Sequence, residues 1–571
     1  MKKVRLQKLI SFFLCICLLC ALLCGCSGKE KLIDFIYPFS ADINSYDPQI
    51  AATSDESLII ENTFEGLVRV NDDGTVQEGC AESWEISNDK LTYTFHLKKG
   101  LKWNINTEKY TEGENKGEFK DKRLQMLGKE FNPDITANDF VFALRRAVLP
   151  ETKAPMFSLI SGIQGATAIH SGKAAADTLG VTATDDYTLV ITLVSPDDNF
   201  FSTLSAGIAM PCNEEFFNAT KGRYGLDTKY TLFNGQFYVS QILQTSYLLK
   251  QNTYYTGPYP STAGELTLKI LGSEEDSSGK KSTVSRLQSG YYDAAFITGS
   301  ESAQLKETQG ITYTPYQDTA WVFLLNTANE VLQSATMREA FCLGLSREAQ
   351  PEKEYLTDSG SIVPFSCLAG GQKALEVLGA STPTQDIEKS VSLWKEGLKV
   401  IDSTDITLTV LTSEEMQNEV REMLQGVQEG IGAVVKNEKG EQIAFTLKVE
   451  AVTPDELKNA VSKREYDIAL YPYKSASVSA AAFLASVAAS NKTGFDDEAF
   501  VQAVNGAQAA DNPQEELQYL QQAEQALITS YSIYPILCET SYYAAAKGVH
   551  GIQFHTGSGR VSFVNATRDE S

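Results

Sequence analysis

The regular exchange of strand and helix signals in the carboxy-terminal third most constrains what this chain can become. Ile406 to Leu411 is an apolar, β-branched run, Met416 to Ile431 has helical spacing, and Phe445 to Val449 and Tyr466-Asp467-Ile468-Ala469-Leu470-Tyr471 are strand-like again. A helix then opens at Asn512-Pro513, carrying Leu517, Leu520, Ala523, Leu527 and Ile528 on one stripe to Ile528, and Tyr534-Pro535-Ile536-Leu537 predicts a closing strand. Such alternation demands an open, largely parallel α/β sheet, because parallel neighbours need a crossover long enough to cover a sheet face. Trp321-Val322-Phe323-Leu324-Leu325-Asn326 does not alternate and predicts a strand buried on both faces, followed by a helix from Met337 through Leu345-Ser346-Arg347.

The amino-terminal half reads differently. Leu32 to Tyr37 predicts a strand, and Leu58, Ile59, Phe64, Leu67 and Val68 a short helix entering another, which returns through Asp73-Gly74. In the next run Leu91, Tyr93, Phe95 and Leu97 alternate with Thr92, Thr94 and His96, so His96 is expected to face solvent. A helix starts at Thr136 with Asp139 in its first turn, and Val181 to Leu193 forms a hairpin about Asp185-Asp186. Between them Asn104 to Asp134, polar and rich in Lys and Glu, is expected to be a mobile surface flap. At 571 residues the chain exceeds one compact core and predicts two to four lobes.

The first residues read as a processed leader. Lys2, Lys3, Arg5 and Lys8 precede an apolar run from Leu9 to Cys24, which closes with Leu23-Cys24-Gly25-Cys26 and resembles a bacterial lipobox with Cys26 as the diacylglyceryl-bearing mature terminus. An ordinary secretory signal or an uncleaved anchor are the alternatives. The four leader cations leave with it, so the formal charge of −24 becomes −28, which argues against nucleic acid as a partner. Cys80, Cys212, Cys342, Cys367 and Cys538 then remain, widely spread, and are expected to be small buried residues rather than a disulfide framework or a zinc site. His96, His170, His550 and His555 are too dispersed for a metal cage, Glu414-Glu415 and Asp496-Asp497 read as solvated or capping carboxylates, and no hydrolase or phosphate-cradle motif occurs.

Six short pieces follow one another between Ser45 and Leu149: Ser45-Tyr46-Asp47-Pro48, Phe64-Glu65-Gly66-Leu67-Val68, Asp72-Asp73-Gly74, Ala81-Glu82-Ser83-Trp84, Leu91 to Trp103, and Ile135-Thr136-Ala137-Asn138-Asp139-Phe140. Beyond them stand Phe233-Asn234-Gly235-Gln236-Phe237, Asn252-Thr253-Tyr254-Tyr255 and Leu287-Gln288-Ser289-Gly290-Tyr291-Tyr292-Asp293-Ala294. In order and spacing these resemble the family 5 extracellular solute-binding proteins of ABC importers, typified by the oligopeptide- and dipeptide-binding proteins. Gln236 replaces a usual Pro and Tyr255 a usual Trp. The resemblance covers the mature chain except Asn104 to Asp134.

It implies a periplasmic-binding-protein-like type II α/β fold, two hinged lobes with an additional third lobe. The expected organisation is a signal peptide at 1–25, a tether at 26–31, a first lobe from 32–74, 205–316 and 530–571, an additional lobe at 75–204 with the 104–134 insertion, and a third lobe at 317–529. The implied role is a monomeric, lipid-anchored, extracytoplasmic binding component without enzymatic activity, cofactor or metal, which holds a peptide or other small solute between its lobes and delivers it to permease subunits in the membrane. Expected ligand contacts are Ala52-Thr53-Ser54-Asp55, Tyr473-Lys474-Ser475-Ala476 and Trp321. Family oligopeptide binders carry Trp-x-x-Asp where this chain has Tyr473 and Ala476, so the acid that neutralises a ligand's α-ammonium is missing. Either Asp55 or Glu539 replaces it, or the ligand has no free amine. Glu539, in Leu537-Cys538-Glu539, stands where several relatives have consecutive tyrosines. Open alternatives are a metal chelate, a sugar or an N-modified peptide as ligand, and a sensory or adhesive lipoprotein without a permease.

Overall fold

The computed structural model describes residues 32–71, 75–127, 130–197, 200–273, 282–305, 308–347, 353–379, 382–401, 403–431, 435–436, 439–475, 479–510, 512–555 and 560–569. The leader with Cys26, the Asp72-Asp73-Gly74 turn and Ala476 lie outside them.

β1 (Ile33–Phe39) leads through Ser45-Tyr46-Asp47-Pro48 into α1 (Ser54–Thr63), where the Thr53 hydroxyl accepts from Glu56 N–H and the Glu56 carboxylate accepts from Thr53 N–H. β2 (Ala81–Ile86), β3 (Thr92–Leu97) and the hairpin β4 (Val181–Asp185) and β5 (Thr188–Thr192) form an antiparallel sheet in the order β2-β3-β5-β4. Tyr93, Phe95 and Leu97 point into its core, and His96 stays partly exposed beside Glu85. α2 (Ala137–Val148), boxed at its start by Thr136 and Asp139, covers β4 and β5. β6 (Phe237–Ile242), β7 (Ser246–Gln251) and β8 (Ala263–Ile270) complete a second sheet with β1, which pairs with β8 in parallel.

A larger sheet follows. Its strands are β9 (Ala294–Ile297), β10 (Thr312–Leu325), β11 (Asp405–Ser413), β12 (Gln442–Val452), β13 (Ile468–Lys474) and β14 (Ile533–Ala545), ordered β9-β14-β10-β13-β11-β12. The helices between them include α3 (Gly299–Leu305), α4 (Ala335–Gly344), α5 (Gln417–Met423), α6 (Gln425–Ile431), α7 (Pro454–Lys463), α8 (Ala480–Ser490), α9 (Glu498–Gln508) and α10 (Pro513–Ser530). One core gathers buried residues from Phe35 to Tyr316 and from Tyr543 to Ala566. Two others fill the faces of the large sheet, Trp321, Phe323, Val420 and Tyr534 on one side and Val322, Leu324, Leu457, Val461 and Leu520 on the other. β10 and β14 are common to all three, and their ladder slips between Tyr316 and Thr319 and between Trp321 and Val322.

Three expectations need correction. Asn104 to Asp134 is no flap: Ile105, Phe119, Leu124 and Phe131 are buried in the first core, and Arg123 ties Asp121 to the carbonyl of Asn104 at 2.7 Å. Its apolar residues are too sparse and aperiodic to signal packing, while its Lys and Glu pair with one another at the surface, as Lys120 and Glu108 do at 2.6 Å. The helix after β10 stops at Gly344, because Leu345 turns extended, and the Ser346 N–H goes to Met423 O instead of closing that helix. Met416 to Ile431 divides into α5 and α6 at Leu424; a side chain at Gly426 in α6 would strike the carbonyl of Gly344, so the glycine admits the close approach of α4. Cys80, Cys212, Cys342, Cys367 and Cys538, the cysteines among the described residues, are buried free thiols, as expected.

Two polar junctions hold the first core. Arg146 of α2 donates through both terminal nitrogens to Asp47, at 2.6 Å each, and to Gln49, with the rings of Phe217 and Tyr224 against its guanidinium. Glu65 accepts from Arg69 at 2.6 Å, Tyr255 at 2.6 Å and Gln236 at 2.9 Å, while Asn234 bonds both its backbone N–H and its carbonyl. Because both Asp47 and Arg146 are buried, Asp47→Asn strands a guanidinium and is expected to remove about 3–5 kcal/mol of unfolding free energy in a denaturant titration. A loss under about 1 kcal/mol would contradict this assignment.

Glu516, in the first turns of α10, is buried, takes one N–H from Gly370 at 3.3 Å, and burial pushes its carboxyl up to about 7. A folded-state value raised above the unfolded one favours the neutral acid, so the penalty is absent in acid and grows as pH rises from the ordinary 4.5 toward 7. Glu516→Gln is therefore expected to match the native protein near pH 4 and to exceed its stability by roughly 2–3 kcal/mol at pH 8. Thermal unfolding across that range checks it; a difference independent of pH is the contrary result.

Candidate ligand-binding site

The large sheet changes its direction of winding at β11. From β11 the chain crosses to β12 through α5 and α6 on the face of Trp321, then returns past β11 to β13 through α7 on the face of Val322. Successive crossovers of one hand in opposite directions must use opposite faces, and they leave a crevice at the carboxyl ends of the two strands where they part. The register shows the parting: β11 pairs with β12 from Asp405 to Ser413, but with β13 only at Val410–Ile468 and Leu411–Ala469. Among the described residues, Leu470 to Lys474 thus pair with β10 on one side and present an unpaired strand edge on the other.

Polar groups collect around that edge. The hydroxyls of Thr412 and Ser413, at the end of β11, are buried without a hydrogen-bond partner among the described residues. Glu415 follows at the mouth, its carboxylate accepting from the Tyr355 hydroxyl at 3.1 Å and its carbonyl from Lys353 at 2.8 Å. Glu539 on β14 accepts from Trp321 Nε1 at 3.0 Å and from Gly299 N–H at 3.1 Å. The Tyr355 ring packs so tightly on Gly299 that no side chain fits there. Burial raises the Glu539 carboxyl above its ordinary range, the two N–H donors oppose this, and the charges of Glu415 and Asp318 add to it. No cation among the described residues pairs with Glu539, since Lys353 serves Glu419 at 2.8 Å and Lys474 serves Asp318 at 3.2 Å.

The expected contacts fall in two places. Trp321 and Tyr473 are buried beside the edge, and Tyr473 packs on Phe483. Lys474 spans from Asp318 to the face of Phe296, 4.3 Å from its centroid, and Ser475 donates its N–H to Asp318 O and accepts from the Cys367 thiol, which burial pushes up to about 12. Ala52, Thr53, Ser54 and Asp55 instead form the start of α1. The N–H groups of Ala52 and Thr53 both go to Glu56, and one oxygen of Asp55, Oδ2, accepts from the Ser40 hydroxyl at 2.8 Å and from Asp42 N–H at 3.0 Å. The Tyr543 hydroxyl is raised well above its ordinary range, first by burial, then by Tyr316 and Tyr37, and least by the charges of Asp318 and Asp55. Farther out, Lys153, Phe157 and His170 face Ser479, Ala481, Ala482 and Gln508 across a cavity of about 290 Å³.

Thr412, Ser413, Glu415, Tyr355 and Asp318 were not anticipated. The available signal was a polar run, Thr412-Ser413-Glu414-Glu415, directly at the carboxyl end of a buried strand, which reads equally well as a helix cap.

A profile of the bacterial extracellular solute-binding proteins, family 5 Middle, matches residues 75–495. The chain is 26% identical over 419 residues to a dipeptide-binding protein of Lactococcus lactis subsp. cremoris, covering 71% of each. It is 24% identical to the dipeptide-binding protein DppE of Bacillus subtilis, covering 90% of this chain and 88% of that one. The structure of Listeria monocytogenes OppA bound to peptide superposes with a TM-score of 0.62 at 19% identity, over 95% of this chain and all of the other, which shows the shared periplasmic-binding-protein-like α/β fold. With the profile matching most of its length, the chain belongs to the family 5 bacterial extracellular solute-binding proteins.

Proposed function

We propose that this protein is the peptide-capturing component of an ABC importer, and that the peptide adds itself as a strand along Leu470 to Lys474. The observation that carries this is the open edge at the parting of β11 and β13: its main-chain groups, to which Pro472 contributes a carbonyl but no N–H, bond an extended main chain while leaving side chains free. The relatives named above are dipeptide-binding proteins, and the Listeria structure holds a peptide. In this reading the lobes are those expected from the sequence, 32–74 with 205–316 and 530–571, 75–204, and 317–529, and they close about β10 and β14. Trp321, Tyr473, Lys474 and Ser475 line the cleft on one side, and the carbonyls and side chains of Ala52 to Asp55 on the other; Ala476, expected from the sequence to join the first set, lies outside the described residues. Glu539 takes the ligand's α-ammonium in the absence of an acid at 476, since it is a carboxylate at the edge that no cation among the described residues satisfies. The protein acts as a monomer, tethered through acylated Cys26 and passing its ligand to permease subunits.

Thermal unfolding against peptide mixtures tests capture, because a ligand that binds only the folded state raises Tm by mass action. Peptides with free amino termini are expected to raise it, and Glu539→Gln to weaken them about tenfold while leaving N-acetylated peptides unchanged. Their affinity should also fall with pH through the raised range of Glu539, as the carboxylate is protonated. Equal loss for both peptide kinds, or none, removes Glu539 from that role. For the anchor, Cys26→Ala is expected to abolish the acyl mass of the mature terminus and release the protein from membranes; an unchanged membrane fraction would exclude lipidation at Cys26.

A further inference from the structure

Lys492 is a partly buried ammonium that no acid among the described residues holds. It follows Asn491, the left-handed C-cap of α8, and its Nζ stands 5.7 Å from the ring centroid of Tyr471 and 5.3 Å from that of Tyr473. Its carbonyl is held by the Tyr466 hydroxyl at 2.9 Å. Among the described residues no carboxylate pairs with it. Asp497, nearby in sequence, caps α9 through Phe500 N–H, and the charge that acts on Lys492 is that of Lys458 on α7, a like charge. Burial and this repulsion together push the ammonium below its ordinary range. Two aromatic faces compensate a desolvated cation only in part.

Its place is as informative as its lack of a partner. Trp321 lies opposite Pro472 in the ladder, so Pro472 and Lys474 share the face of Trp321 and Glu539. Tyr471 and Tyr473 point to the other face, where Lys492 covers them. The same unpaired edge is therefore flanked by an uncompensated carboxylate on one face and an uncompensated ammonium on the other.

We propose that Lys492 receives a carboxylate of the captured ligand, making this a charge-reading subsite for peptides that carry a C-terminal carboxylate or an acidic side chain. The proposal rests on the peptide-capture reading. Binding to the intact protein is measured with mixtures of random tri- to hexapeptides in the free-acid form, in the C-terminally amidated form, and in amidated form made without Asp and Glu. In the native protein the loss of the relevant carboxylate is expected to raise the half-saturating concentration about tenfold. If the first amidation causes it, the C-terminus is the source; if only the removal of Asp and Glu does, the side chain is. Lys492→Gln is expected to bind all three mixtures alike, and Lys492→Arg to restore the discrimination. Discrimination that persists in Lys492→Gln, or that is absent from the native protein, overturns the role of Lys492 while leaving peptide capture standing. Failure of every mixture to bind overturns both.

Discussion

From Thr312 to Leu325 and from Ile533 to Ala545 the chain runs as two antiparallel strands whose opposite ends enter different cores. Tyr316 and Tyr543 are buried with the residues of the first core, whereas Val322 to Leu325 and Ile533 to Leu537 are buried in the large sheet. The ladder is broken where this ownership changes, at Tyr316 to Thr319 and at Trp321 to Val322. A bulge adds a residue without a partner and bends the strand locally, so the two slips let one continuous pair of strands serve two bodies. They also put Asp318 and Trp321 at the crossing, both buried, Trp321 at the border of the core on one face of the large sheet. The remaining site is placed from there, because Trp321 orients Glu539 and Asp318 holds Lys474.

The charges near this crossing are not balanced internally. Among the described residues Lys353 and Lys474 are each committed to an acid, Glu539 receives only neutral N–H donors, and Lys492 receives only aromatic faces. Buried or half-buried ions without partners lower stability and are retained where something outside the chain completes them. A main-chain edge that bonds any extended peptide supplies affinity without discrimination, so charged groups on its two faces are where selectivity can enter.

The motif pieces scattered through the sequence also find a common physical reason. Phe64-Glu65-Gly66, Asn234-Gly235-Gln236 and Asn252-Thr253-Tyr254-Tyr255 meet in one junction, in which Glu65 is bonded by Asn234, Gln236, Tyr255 and Arg69, and Asn252 holds the Gly235 carbonyl at 2.8 Å. Gly235 is required there because a side chain would strike the backbone of Thr63 and Phe64. Gln236 in place of proline adds a donor to this junction, so that departure is a substitution of one fixing device for another. The extended Ser45-Tyr46-Asp47-Pro48 likewise exists to present Asp47 to Arg146.

Strand and helix periodicity alone determined the α/β class, the hairpins around Asp185-Asp186, the buried strand at Trp321 and the capping of α2 by Thr136 and Asp139, since these depend on neighbours within one turn or one ladder step. Ordered motifs added the family and the neighbourhood of Tyr473 to Ser475. What periodicity does not encode is which separated segments converge. The packing of Asn104 to Asp134 depends on single apolar residues entering a core built elsewhere, and Glu415 looks like any helix-capping acid until β11 and β13 part beside it. Only the tertiary structure decided that Glu539 and Lys492, neither paired with an opposite charge among the described residues, lie on the two faces of one strand edge, because Glu539 is set there by Trp321 and Gly299, hundreds of positions away.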